Sequence, residues 1–139
     1  MNLQIRLATA EEIRSGYVGQ QLREFNHLAV GGRTEVQTIY LNAIDEKGAV
    51  VGGLRSYVYL NWLRIELLWV HDEHRSQGVG SQLLREAEGR ANLVGAMNAL
   101  LETFEWQAPL FYEKHGYVET ARIGDYMNGR YLSIMRKSL

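Results

Sequence analysis

The period of the hydrophobic pattern changes sharply between residues 70 and 80, and no other feature of the chain constrains its fold as much. Leu63, Ile65, Leu67 and Trp69 alternate with Arg64, Glu66, Leu68 and Val70, the two-residue period of a strand. From Gly78 onward the spacing is helical, with Val79, Leu83, Leu84, Ala87 and Ala91 on one face. Glu86 and Arg90 add an i,i+4 pair, and Gly95 ends the helix. Between strand and helix lie the polar run from His71 to Gln77 and the sequence Gly78-Val79-Gly80. A strand, a glycine loop and an amphipathic helix in that order predict a β–loop–α unit within a mixed α/β fold.

The flanking sequence extends this pattern. Leu3, Ile5 and Leu7 alternate with polar residues and predict a short strand. Thr9 and Glu12 form a capping-box pattern, opening a helical stretch to about His27 that breaks near Gly16 or Gly19. Gly31-Gly32 marks a loop. Ile39 to Asp45 and Ala49 to Tyr59 read as a hairpin about the Asp45-Glu46-Lys47-Gly48 turn. Ala99 to Phe104 is a strand, Pro109 opens a helix that stops at Gly116, and Tyr117 to Ile123 and Tyr131 to Arg136 are closing strands. The order β, α, β-β-β, α, β, α, β-β predicts one domain over residues 1–139, a mixed sheet with helices on its faces.

Composition narrows the function classes. A formal net charge of −1 carries no basic surplus, which argues against a nucleic-acid partner. There is no cysteine, hence no disulfide framework, thiolate metal site or cysteine nucleophile. Of the four histidines, His71 and His74 are three apart, but no carboxylate-rich helix surrounds them, and no metal is expected. The N-terminus lacks the apolar core of a signal peptide, and no apolar run is long enough to span a membrane. A cytoplasmic protein without a membrane partner is the expectation.

The glycine loop has a chemical reading and a bland one. Without Cβ atoms at Gly78 and Gly80, consecutive backbone N–H groups can converge on an anion, and the helix N-terminus adds partial positive charge. Together they suit a diphosphate, to which Arg75 could add a full charge. Alternatively, the glycines simply make a tight strand-to-helix turn. Two familiar phosphate loops fit badly: Gly80 is followed by Ser81-Gln82 rather than Lys-Ser/Thr, and Leu83 stands where a dinucleotide fingerprint needs its third glycine.

Arg75-Ser76-Gln77-Gly78-Val79-Gly80 resembles the Arg/Gln-x-x-Gly-x-Gly/Ala signature of the GCN5-related N-acetyltransferase (GNAT) superfamily. Leu67-Leu68-Trp69-Val70 is similar to that family's fourth strand. Phe111-Tyr112-Glu113-Lys114-His115-Gly116-Tyr117 is similar to its Phe-Tyr-x-Lys-x-Gly-Phe/Tyr segment. Thr103 to Pro109 resembles the Thr-x-x-Phe-Gln-Ala pattern of a small-molecule-type branch, with Trp106 where phenylalanine is more usual. The resemblance implies a central, mostly antiparallel twisted sheet of about six to seven strands with helices on both faces. The sheet would splay between its fourth and fifth strands, with the fifth near Leu101 to Thr103.

The resemblance also implies site residues. Backbone amides of Arg75, Ser76, Gln77, Gly78, Val79, Gly80 and Ser81 would hold the diphosphate of acetyl-coenzyme A, and Leu68, Trp69 and Val70 would pair with its pantetheine arm. Gln107 and Tyr112 would complete the cofactor site. Tyr112 matches the tyrosine that points at the coenzyme sulfur, as general acid for the leaving thiolate; the alternative is an aromatic packed on the sheet. Glu66, on one strand face with Leu68 and Val70 by simple alternation, is the candidate base that deprotonates the acceptor amine. The alternatives are a surface carboxylate or one paired with Arg64 or Arg55, with the base acting through water or no dedicated base at all. Glu24 and His27 near a helix end, with Tyr57 and Trp62 along the hairpin, suit a cationic amine as substrate-binding residues. They suit core and dimer surface as well, and the Asp125–Gly129 turn either closes over substrate or only connects strands. These features imply acetyl transfer to a primary amine of a small molecule; a protein or peptide amine, or coenzyme binding without catalysis, are the alternatives. The aromatics Tyr57, Tyr59, Trp62, Tyr126 and Tyr131 exceed what a domain of this size can bury, so a homodimer is expected.

Overall fold

The computed structural model describes residues 2–32 and 35–139. The chain forms two compact units, residues 1–35 and residues 36–139.

In the first unit, α1 (Ala10–Ser15) begins at a reciprocal cap. Thr9 Oγ1 accepts the Glu12 N–H at 3.1 Å, and the Glu12 carboxylate accepts the Thr9 N–H at 3.0 Å. Gly16, at φ +66°, ends α1 and starts α2 (Tyr17–Val30), so the helical stretch breaks there and not at Gly19. The strand expected over Leu3 to Leu7 does not form: residues 2–9 carry no regular structure and all three apolar side chains are exposed. Alternation gives a segment an apolar edge, but a strand exists only by pairing its backbone groups with a neighbour. Arg6 instead binds the Glu12 carboxylate at 2.7 Å, which holds that carboxyl below its usual range.

The second unit is a six-stranded sheet in the order β1-β2-β3-β4-β6-β5. The strands are β1 (Gln37–Ile44), β2 (Val50–Tyr59), β3 (Trp62–Val70), β4 (Asn98–Phe104), β5 (Val118–Met127) and β6 (Arg130–Ser138). Helix α3 (Val79–Leu93) lies between β3 and β4 in sequence, and α4 (Pro109–Lys114) between β4 and β5. All neighbouring strands are antiparallel except β3 and β4, which run parallel because the α3 crossover separates them. The helical stripe Leu83, Leu84, Ala87 and Ala91 is buried in one cluster with Leu54 and Val58 of β2, Leu63 and Ile65 of β3, Ala99 and Leu101 of β4, and Met135 of β6. Small residues at 87 and 91 let α3 approach the sheet closely.

Most of the aromatics expected at the surface are half-buried. Tyr57, Tyr59, Trp62 and Tyr131 are partly covered, and of the five Tyr126 alone is exposed, at 51%. Arginine stems supply cover without a larger core: Arg136 lies 4.9 Å from the Trp62 ring centre and Arg122 3.8 Å from that of Tyr131.

Candidate active site

Two neighbouring strands part company at the centre of the sheet. β3 and β4 pair over Trp62–Ile65 and Asn98–Leu101 only. Beyond that point β3 continues to Val70 alongside β2, and β4 to Phe104 alongside β6. A bulge marks the parting: Ser56 pairs with Ile65 and Arg55 with Leu67, leaving Glu66 as the extra residue. The bulge changes the side-chain parity. Leu68 pairs with Leu54 and Ile65 with Ser56, so Leu68 shares the face of Ile65, and the simple alternation that would group Glu66 with Leu68 and Val70 is interrupted.

A cavity of about 830 Å³ opens where the strands diverge. Its walls are residues 65–70 of β3, residues 101–103 of β4, the loop and first turn of α3, and α4 with the segment leading to it. Glu66 and Glu102, each following the last paired residue of its strand, both line it. Glu66 makes no ion pair or side-chain hydrogen bond among the described residues. Arg55, one of its expected partners, donates instead to the Leu41 carbonyl at 2.8 Å and to Asn42 at 2.9 Å.

The loop between β3 and α3 is shaped by left-handed backbone. After a short 3-10 turn at Asp72–His74, Ser76 adopts φ +61° and Gly78 φ +83°. A Cβ at Gly78 would meet no atom within 4 Å, so the backbone there is open to approach. Among the described residues no side chain caps α3, and the first-turn amides have no intrahelical acceptor. Gly80 is different: its missing Cβ would lie 3.4 Å from the Phe111 ring, so α4 packs directly on the start of α3. Arg75 folds back, donating to the Val70 carbonyl at 3.0 Å and pairing with Asp72 at 2.9 Å. Ser76, Val79 and Ser81 line the cavity with the two glycines; Gln77 does not, and its amide turns to the Glu73 carbonyl at 3.2 Å.

Pro109 occupies the first turn of α4, as its fixed φ favours. Buried Thr103 accepts the Ala108 N–H at 3.3 Å, and Gln107 accepts the Phe104 N–H at 2.9 Å. These two bonds explain the Thr103/Gln107-Ala108 pattern physically: it is the joint that aims α4. Tyr112, 7% exposed, sits edge-on to Phe111 at 5.2 Å and to Tyr117 at 5.7 Å. Burial pushes its phenol up to about 12, so the hydroxyl keeps its proton at neutral pH.

Residues 36–119 match the family model described as an acetyltransferase (GNAT) domain. The chain belongs to the GNAT acetyltransferases. It is 35% identical over 135 residues to a blasticidin-S acetyltransferase of Streptomyces morookaense, spanning 96% of each chain. Among solved structures, a Bacillus cereus acetyltransferase superposes with a TM-score of 0.83 at 32% identity, over 99% of this chain and 98% of that one. An Agrobacterium tumefaciens acetyltransferase gives the same TM-score, 0.83, at 26% identity over 100% of both chains. This GNAT chain is an acyltransferase with a mixed α/β fold, and its splayed strands are the structural property that leaves a cavity between them.

Not every candidate on β2 and β3 meets at that cavity. Tyr57 pairs with Arg64, and Trp62 stands at the closed end of the β3–β4 pairing; neither is in the lining. Glu24 and His27 belong to the first unit, where Glu24 accepts from Gln20 at 3.4 Å and His27 Nδ1 lies 2.7 Å from the Gly32 carbonyl. Trp106, Phe111, Lys114 and His115 stand within the two motifs without an assigned role, and Glu102 stands in neither; all five line the GNAT cavity. For Phe111 and His115 a signal existed: they are four apart, from the first turn of α4 to the residue that caps its end, hence on the same side.

Proposed function

We propose that this enzyme transfers an acetyl group from acetyl-coenzyme A to a primary amine of a small molecule. The observation that carries the reading is the continuity of the cavity, which joins the open glycine loop, the diverging strands and buried Tyr112. Its volume falls in the range of ligand pockets. The amides of Val79, Gly80 and Ser81, with Gly78 before them, suit the coenzyme diphosphate. The edge of β3 that faces away from β2, without a β4 partner beyond Ile65, suits an extended pantetheine arm alongside Leu68, Trp69 and Val70. The 35% identical relative named for its action on blasticidin S supports a small-molecule acceptor.

Acetyl-coenzyme A supplies the activated acyl thioester. Glu66, free of other partners and on the cavity wall, takes the proton that the acceptor ammonium must lose. Tyr112 serves the leaving sulfur. Because its phenol is pushed up to about 12, well above an ordinary thiol at ~8.5, it acts chiefly by donating a hydrogen bond to the thiolate. The test is turnover of acetyl-coenzyme A against a panel of amines and peptides, followed by thiol release. Acceleration by small amines is expected; acceleration by peptides alone would reassign the acceptor, and none at all would leave a coenzyme-binding protein.

We further infer a cytoplasmic homodimer. The support for the dimer is β5, an edge strand exposed along its whole length and carrying Val118, Ile123, Tyr126 and Met127. Light scattering at micromolar concentration should give a dimer mass; a monomer refutes this.

A further inference from the structure

We propose that His115, acting through Ser81, couples coenzyme binding to uptake of a proton. The proposal rests on the reading that the coenzyme diphosphate lies at the start of α3. His115 bridges α4 and α3: its Nδ1 lies 2.8 Å from the Phe111 carbonyl and its Nε2 2.9 Å from Ser81 Oγ. A carbonyl can only accept, so Nδ1 carries a hydrogen in both protonation states of the ring. The neutral ring therefore presents a bare Nε2, and the Ser81 hydroxyl must donate to it.

That arrangement is poor for binding an anion. With its hydrogen directed at His115, Ser81 turns only lone pairs toward the cavity it lines. Protonation reverses the bond. Nε2–H then donates, Ser81 Oγ accepts, and the hydroxyl hydrogen is released toward a phosphate oxygen. The same proton adds a positive charge beside the first-turn amides of α3. Both changes favour a diphosphate, so by linkage the diphosphate favours the imidazolium.

The charged and titratable groups around this cavity set the balance. His74 and Arg75 come from the loop before α3, Tyr112 and Lys114 from α4, Glu66 from β3 and Glu102 from β4; the first turn of α3, Val79 to Ser81, has none. Arg75 is already committed to Asp72. Imidazole is the side chain whose charge changes near neutral pH, and of the two imidazoles here, His74 and His115, it is His115 that is bonded to Ser81 in the first turn of α3. His115 is thus a positioning residue for the coenzyme: it aims Ser81.

Calorimetric titration with coenzyme A, in two buffers of different ionisation heat, reads the proton count directly. The intact protein should take up more protons than the His115→Gln variant, by up to about one. Glutamine keeps an N–H for Ser81 but cannot titrate, which separates the proton from the packing. From about pH 6 to about pH 8.5 the affinity of the intact protein should fall roughly three- to tenfold more than that of the variant. Equal proton counts overturn the proposal. Should His115→Gln fail to fold, Ser81→Ala provides the second measurement: a pH dependence as steep as in the intact protein overturns the proposal, and a flatter one supports it. Failure of the intact protein to bind coenzyme A would instead remove the diphosphate reading beneath it.

Discussion

Ile65 pairs with Leu101, and theirs is the last pair that β3 and β4 make. The next residue on each strand is a glutamate, and both glutamates reach the cavity. The bulge at Glu66 makes that carboxylate the residue on β3 freed from regular pairing. Such a side chain is well placed to change partners during a reaction.

Replacing Glu66 by glutamine keeps its size and abolishes its basicity. The pH profile of kcat/KM should lose its acidic limb, and kcat/KM should fall roughly 10²-fold or more. A profile that keeps the limb unshifted would mean that the base is elsewhere.

Tyr112→Phe should lower kcat roughly 10²- to 10³-fold with little effect on coenzyme affinity, because the ring still packs against Phe111 and Tyr117. It should also change alkaline stability. Burial raises the Tyr112 phenol to about 12 in the folded protein, whereas an unfolded tyrosine ionises at ~10. The stabilising contribution is complete below about pH 10 and is lost as pH rises toward about 12. Tyr117 is pushed up too, first by burial and then by Glu88 beside it, and acts in the same direction. Denaturant midpoints should therefore decline above about pH 10, less steeply in Tyr112→Phe.

At the glycine loop the informative variant is Gly78→Ala. Nothing crowds the new Cβ, but φ +83° strains it by about 1 kcal/mol. Movement of the loop should weaken coenzyme binding at least tenfold, about 1.4 kcal/mol, with a modest loss of stability. Gly80→Val drives a branched side chain into Phe111 and so disturbs α4 as well, making it a poorer probe of the cradle alone. Calorimetric affinity measured beside a melting curve distinguishes the two.

Away from the cavity, Glu88 accepts from Tyr117 Oη at 2.8 Å and from Lys137 Nζ at 3.0 Å, with its carboxylate only 11% exposed. Glu88→Ala strands both donors and should cost about 2–4 kcal/mol in chemical denaturation. KM values should stay the same. A change in coenzyme KM comparable to that of the loop variants would show that this network helps to form the site.

Much of this architecture is legible in the sequence because it rests on local rules. The capping box at Thr9, the turn ending at Gly48 between β1 and β2, the stripe on α3 and the proline opening α4 all follow from spacing and backbone chemistry. What escaped depends on distant partners. Leu3, Ile5 and Leu7 alternate like a strand, but spacing cannot say whether a neighbour is there to pair with them. The bulge at Glu66 adds one residue without changing composition, so alternation misassigns the face. Ser81 and His115 are 34 residues apart, and no local pattern announces their bond.

The short parallel seam between β3 and β4 has a consequence for how the molecule assembles. β1, β2 and β3 form one meander; β4, β6 and β5 form another three-stranded set. Within each set antiparallel partners extend over many residues, whereas the sets meet through four pairs, closed only after the chain has wound through α3. Closing that long loop costs entropy before it gains contacts, so the seam should form late in folding and be among the first places to open. Hydrogen exchange at Leu63 and Ile65 would then be faster than their burial suggests, and a bound molecule spanning both strands would slow it, acting as a clasp between two half-sheets.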